Sequence, residues 1–184
     1  MDTFCPNFKY FIMGNPQTGK SNILSQFMYK EFNTKYTSTI GVGIGNLYIK
    51  PNGTLVLIHV VDAASDEKFK EIIKMYFKGT HVFLFVYDIT NKQSFEDVGK
   101  HIESLSSYDS KDYIKVLVGN KKDLENERQV EYEEGKAFGK DNGMRFFEIS
   151  AKSGESVDKL FYAVAEMLIE KEEKQNQNKG GSSE

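Results

Sequence analysis

Cysteine is almost missing from this 184-residue chain. Cys5 stands alone, which excludes an internal disulfide framework and fits a reducing compartment. Long apolar runs are missing as well. The longest, Val82 to Val86, falls far short of the ~20 residues a bilayer-spanning helix needs. No signal-peptide pattern opens the chain, and Met1-Asp2 carries no myristoylation signal. The last residues, Gly180-Gly181-Ser182-Ser183-Glu184, offer no cysteine for a prenyl group. As written, the sequence is expected to be soluble and cytoplasmic, with no direct lipid anchor visible. A chain cut before lipidation cysteines or before another domain is the open alternative. Charge imbalance is small too: 24 Lys and Arg against 27 Asp and Glu leave a net value of −3, so no strong field points to nucleic acid. His59, His81 and His101 are scattered without metal-ligand spacing and read as structural. No internal repeat is visible.

What is present suffices for one domain and a short tail. Hydrophobic residues make up 39% of the chain, enough for a core that buries roughly two-thirds of the unfolded surface. Phe8 to Met13 reads as a buried strand, and a helical pattern through Ile23, Leu24 and Phe27 follows it. Asn46–Lys50 and Thr54–Val61 flank Pro51-Asn52-Gly53, a hairpin signal. Lys68 to Lys78 has helical spacing. Val82–Tyr87 and Lys115–Gly119 read as buried parallel strands, with room for a helix of about four turns between them. Phe146–Ile149 is a further strand. The last helix carries the stripe Val157, Leu160, Phe161, Val164 and Leu168. From Lys171 on apolar residues vanish, and a disordered tail is expected. The domain is therefore expected over 1–174 and the tail over 175–184. Alternating strands and helices imply an α/β fold: a mostly parallel sheet, one antiparallel hairpin strand, helices on both faces, and ligands at the carboxyl ends of the strands.

Gly14-Asn15-Pro16-Gln17-Thr18-Gly19-Lys20-Ser21 matches G-x-x-x-x-G-K-[ST] in full. Its glycines let the backbone wrap a phosphate, and successive N–H groups form an anion nest at a helix N-terminus. Lys20 brings a point charge for the β and γ phosphates, and the Ser21 hydroxyl suits Mg²⁺. Alone, this motif says nucleoside triphosphate. Asn120-Lys121-Lys122-Asp123 follows a buried strand and selects the base. An aspartate accepts from N1–H and the exocyclic amine of guanine. Adenine lacks that donor pair, so discrimination is steep. Ser150-Ala151-Lys152 follows the next strand; the order of the three motifs points to guanine. Gly41-Val42-Gly43-Ile44-Gly45 mimics a dinucleotide loop but precedes a strand, so a plain loop reading wins.

With these motifs and with Ser38-Thr39-Ile40-Gly41, Tyr87-Asp88-Ile89-Thr90 and Val118-Gly119-Asn120-Lys121, the chain resembles a small GTPase of the Ras superfamily, nearest its Rab branch, over about residues 8–170. The resemblance implies a P-loop small G domain with a six-stranded sheet. It implies GTP or GDP with Mg²⁺ as ligands, and an exchange factor, an activating protein and effectors meeting the switch regions. Nucleotide contacts then fall on Gln17, Thr18, Gly19, Lys20, Ser21, Asn22, Phe32, Thr39, Asn120, Lys121, Asp123, Ser150, Ala151 and Lys152. Phe32 would stack on the base edge, Lys121 would pack over it, and Ala151 would offer its N–H to guanine O6. Ser21, Thr39 and Asp62 would hold Mg²⁺, Asp62 through water. The implied activity is a Rab-like switch in vesicle trafficking with Mg²⁺-dependent GTP hydrolysis.

The sequence departs from the family where hydrolysis is expected. Switch II of the family begins Asp-Thr-Ala-Gly-Gln-Glu; here it reads Asp62-Ala63-Ala64-Ser65-Asp66-Glu67. Ser65 replaces a glycine and stiffens the backbone. Asp66 replaces the glutamine that orients the attacking water; an ionised aspartate cannot donate a hydrogen bond and brings charge toward a phosphate. Two like unit charges about 5 Å apart, in an effective dielectric of about 20, cost about 3 kcal/mol. Lys20, Ser65 and Asp66 are the catalytic candidates, Asp66 impaired, and slow intrinsic hydrolysis is expected. The alternative is a pseudo-GTPase that holds GDP or GTP with little or no turnover. Pro16 stands where a small residue is usual, and its ring is expected near the γ-phosphate and switch II. Ile44 and Val61 replace two aromatics of the Rab interswitch triad, while Tyr76-Phe77 keeps the third.

Overall fold

The computed structural model describes residues 5–35, 39, 41–64, 70–106, 108 and 112–180. Strands β1 (Asn7–Met13), β2 (Val42–Ile49), β3 (Val56–Ala63), β4 (Val82–Asp88), β5 (Ile114–Asn120) and β6 (Arg145–Glu148) form one sheet in the order β2-β3-β1-β4-β5-β6. Every neighbouring pair is parallel except β2 and β3. The hairpin joining those two turns through Pro51–Gly53, where Asn52 and Gly53 take positive φ of 49° and 84°. The expected sheet, with its one antiparallel strand, is observed.

Helices cover both faces because the strands alternate. Phe8, Tyr10 and Ile12 of β1 and Val82, Leu84 and Val86 of β4 face one core with α1 (Lys20–Tyr29) and α6 (Val157–Gly180). Phe11, Phe83, Phe85 and Tyr87 face the other. There they meet residues of α2 (Lys70–Met75), α3 (Lys92–Glu96), α4 (Val98–Glu103) and α5 (Tyr132–Asp141), or of the segments beside them. Phe27 of α1 stacks on Phe161 of α6 at a centroid distance of 3.8 Å, and Tyr10 stacks on the same ring at 5.7 Å. Aromatic pairs of this kind add about 1 kcal/mol beyond the area they bury.

The structure differs from the sequence reading in two elements. The single helix expected between β4 and β5 is two short ones parted at Asp97, whose φ of −73° and ψ of −9° stay right-handed but open ψ from the α-helical value of about −42°. Its carboxylate is drawn to Asn15, Gln93 and Lys100. At the C-terminus, α6 runs to Gly180, through the stretch 175–180 whose composition suggests a disordered tail. Gln175, Gln177 and Lys179 are good helix formers, and extending a helix already nucleated on a packed stripe needs no further apolar face.

The sheet order reverses at β1, which has β3 on one side and β4 on the other. In open α/β sheets ligands bind beyond the carboxyl ends at such a switch point. The loop after β1 is the phosphate-loop motif, and the carboxyl ends of β3, β5 and β6 bring Asp62, Asn120 and Ser150 to the same rim.

Candidate guanine-nucleotide site

The loop Gly14–Gly19 is fitted against its neighbours. A Cβ on Gly14 would lie 2.2 Å from the Val86 carbonyl oxygen, and one on Gly19 2.3 Å from Asn120 Nδ2. Neither position accepts a side chain without displacement. Gly19 at φ 93° caps α1 with no side-chain hydrogen bond, so the first-turn N–H groups keep their capacity for an anion. Gln17 holds φ 65° with an exposed side chain, a left-handed conformation that costs a non-glycine residue on the order of 1–2 kcal/mol. Thr18 is buried, and its hydroxyl donates to Asn15 O at 2.9 Å.

Lys20 folds back over this loop. Its Nζ donates to Gly14 O at 2.9 Å and Asn15 O at 2.8 Å. Burial pushes its pKa down to about 8, partly opposed by Asp62. Next to it, Ser21 Oγ donates to Asp62 Oδ2 at 2.5 Å and lies 3.0 Å from Thr39 Oγ1. Asp62 is buried, its Oδ1 has no hydrogen-bond partner among the described residues, and desolvation raises its pKa against the pull of Ser21 and Lys20. Serine, threonine and carboxylate oxygens around an unsatisfied buried carboxylate oxygen fit a hard divalent cation such as Mg²⁺, which takes oxygen ligands and keeps several waters. The three residues named from the sequence for this role are thus brought together.

The base-binding motifs also converge. Asn120 is buried; its Nδ2 donates to Thr18 O at 2.8 Å and its Oδ1 accepts the Ala151 N–H at 3.0 Å. One side chain therefore ties the phosphate loop, the end of β5 and the loop after β6. The Ala151 N–H, expected to face guanine O6, is engaged with Asn120 here. Asp123 Oδ1 accepts from Ser150 Oγ at 2.6 Å, with Lys152 Nζ 3.9 Å from Oδ2. Lys121, at φ 69°, pairs with Asp88 Oδ2 at 2.6 Å. Phe32 is half-buried beside Asn33, whose backbone is held by the Asn22 side chain. Ser65 and Asp66 lie outside the described residues.

A model of the Ras family matches residues 9–170 of this chain. The chain is 40% identical over 164 residues to the Ras-related protein Rab-2B of Dictyostelium discoideum, covering 89% of this chain and 81% of that protein. It is 35% identical, again over 164 residues, to the Ras-related protein Rab-10 of Caenorhabditis elegans, covering 89% and 82% respectively.

The chain belongs to the Ras family. Within it, the chain is a Rab-like small GTPase, and the family binds GTP or GDP with Mg²⁺.

Against that family background the departures acquire positions. Pro16 is exposed and lines a cavity of about 370 Å³ with Phe11, Ala64, Ile73, Phe77 and His101. It thus faces the same cavity as Ile73 of α2. Ile44 and Val61 sit opposite each other in the β2–β3 ladder, Ile44 exposed and Val61 buried. Tyr76 and Phe77 pack in the core behind Val61. No described helix is long and apolar enough to cross a membrane.

Sequence reasoning missed several residues that shape the rim. His101 Nε2 lies 2.8 Å from Asn15 Oδ1, and Asp97 Oδ2 accepts from Asn15 Nδ2 at 2.7 Å. Both reach the phosphate loop from over eighty residues away, and no local pattern announces them. His59 and His81 bond Asn46 and the Lys9 N–H, away from the rim. Asp88 lay inside a segment noted only for its Rab-like order; its burial beside Lys121 gives it a task.

Proposed function

We propose that this chain is a Rab-like switch in vesicle trafficking that holds GDP or GTP with Mg²⁺ and, unaided, hydrolyses GTP slowly. The observation that carries the binding half is the convergence of Ser21, Thr39 and Asp62, with an orphaned buried oxygen on Asp62, beside Lys20 and the open N-terminus of α1. In this reading the N–H groups of Gln17 to Ser21 and the Lys20 ammonium take the phosphate charge. Asn22 belongs to the same turn. Asp123, aimed by Ser150, accepts from the guanine edge, while Lys121 and Phe32 flank the ring. When bound, the cation neutralises charge on the phosphate oxygens. Water attacks the γ-phosphorus in line.

Slow turnover rests on Ser65 and Asp66. Asp66 cannot donate a hydrogen bond while ionised. An activating protein that brings its own arginine and glutamine would compensate. The same two residues favour the second reading, a pseudo-GTPase stabilised by its nucleotide through linkage. Partners are expected at the switch regions, and the exposed Ile44 makes that surface less aromatic than a Rab's usual one.

Chromatography of nucleotide released from the purified protein tests the binding claim: GDP or GTP is expected, and an adenine nucleotide or none overturns it. Multiple-turnover phosphate release, with and without an activating protein, tests the turnover claim. Asp66→Gln is expected to raise the unaided rate. A wild-type rate equal to that variant's overturns the assignment of slow turnover to Asp66, and no release under any condition selects the pseudo-GTPase.

A further inference from the structure

Asn22 occupies the first turn of α1, directly after Ser21. Its carboxamide grips one residue of the following loop at both ends: Nδ2 donates to Asn33 O at 3.2 Å, and Oδ1 accepts the Asn33 N–H at 3.1 Å. This is the pairing a neighbouring strand would offer, supplied by one side chain. The chain leaves α1 at Tyr29, about 15 Å from where the helix began, and must return to bring Thr39 Oγ1 within 3.0 Å of Ser21 Oγ. Adjacent residues of one helical turn thus hold the same loop at two points, Ser21 at Thr39 and Asn22 at Asn33.

The two holds differ in kind. The Ser21–Thr39 contact belongs to the proposed cation site and changes with its contents. The Asn22–Asn33 clasp involves a neutral amide and a backbone and needs no ligand. We infer that Asn22 is a positioning residue that keeps the loop carrying Phe32 and Thr39 against the nucleotide site when the Thr39 anchor lets go, and so governs how long the nucleotide stays. Without the clasp, the nearest held residue before Thr39 moves back from Asn33 to Lys30. Return of Thr39 then slows only about two-fold by loop-closure entropy. Loss of a two-bond clasp adds a larger factor, so nucleotide release accelerates about five-fold or more.

The inference rests on the nucleotide-binding reading above, and the test separates the two. The whole 184-residue chain is loaded with N-methylanthraniloyl-GDP, and release is followed in Mg²⁺ and in excess EDTA for wild type, Asn22→Ala and Asn22→Asp. Asn22→Ala is expected to release faster, and by a larger factor in EDTA, where the clasp is the remaining anchor. Asn22→Asp keeps the acceptor but loses the donor, and should fall between. Trypsin cleavage after the exposed Lys35 reads the tether without any nucleotide, and is expected to be several-fold faster in Asn22→Ala. Unchanged release and cleavage overturn the inference, as does the same acceleration with and without Mg²⁺. If wild type retains no guanine nucleotide, the binding reading fails instead, and the cleavage comparison still decides the clasp.

Discussion

Asn15 of the phosphate loop donates to Asp97 Oδ2 at 2.7 Å, across the gap between β1 and the break that parts α3 from α4. Lys100 is the largest influence on Asp97; with Asn15 and Gln93 it holds the carboxyl down at about 2. A depressed carboxyl contributes stability that is present above its unfolded pKa, about 3.9, and is lost as pH falls toward the folded value. Asp97→Asn is therefore expected to be less stable than wild type at pH 7, with the gap closing between about pH 4 and about pH 2. Urea denaturation at a series of pH values measures it; a gap that persists at the acid end would show that Asp97 acts by shape and not by charge.

Asn120 binds Thr18 O and the Ala151 N–H from a fully buried position. Truncation leaves a buried carbonyl and a buried N–H without partners, each costing about 1–3 kcal/mol. Asn120→Ala is expected to lose about 2–4 kcal/mol in the nucleotide-free protein, before any contact with a base is counted. The comparison is made by urea unfolding after nucleotide has been stripped. A loss below about 1 kcal/mol would mean that the loops hold together without this tie.

The sheet was legible because β1, β4 and β5 are uninterrupted apolar runs between turn signals, and because Pro51-Asn52-Gly53 marks a hairpin. The site was legible where chemistry is local: a phosphate loop and Asn120–Asp123 are read within single stretches. α5 was not singled out, since Tyr132–Asp141 contains Gly135 and Gly139 and few apolar residues; both glycines are spaces for Tyr87 or Phe146 rather than breaks. The Asn15–Asp97–His101 group, the Asp88–Lys121 pair and the Asn22 clasp depend on distant segments meeting. A sequence carries those meetings only through the fold.

Arg128 and Glu148 form such a distant pair, with two contacts of 2.8 Å and both side chains buried. Removing one member of a buried pair strands the other charge, at about 3–5 kcal/mol. The Lys30–Asp158 pair is shorter, yet both its side chains are 57% exposed, and exposed pairs contribute about 0–1 kcal/mol. Arg128 also pairs with the exposed Glu125, so the buried carboxylate of Glu148 is the charge that is stranded: Arg128→Ala should destabilise the protein by about 3 kcal/mol or more, and Asp158→Ala by under about 1 kcal/mol. Paired thermal and urea unfolding curves check the ranking, and equal losses would contradict it.

Lys20 links the phosphate loop to pH. Burial lowers its pKa to about 8 in the protein without phosphate. A nucleotide phosphate beside the ammonium favours the charged form and moves that pKa back up. Near pH 8.5 the free site therefore holds Lys20 largely neutral while the complex holds it charged, so GDP binding should take up part of one proton. Near pH 6.5 both states are charged and uptake through Lys20 vanishes. Calorimetry of GDP binding in buffers of different ionisation enthalpy counts these protons directly. The uptake should disappear in Lys20→Arg, whose guanidinium stays protonated throughout this range, even if that variant binds more weakly. Uptake that survives in Lys20→Arg would assign the proton to another group.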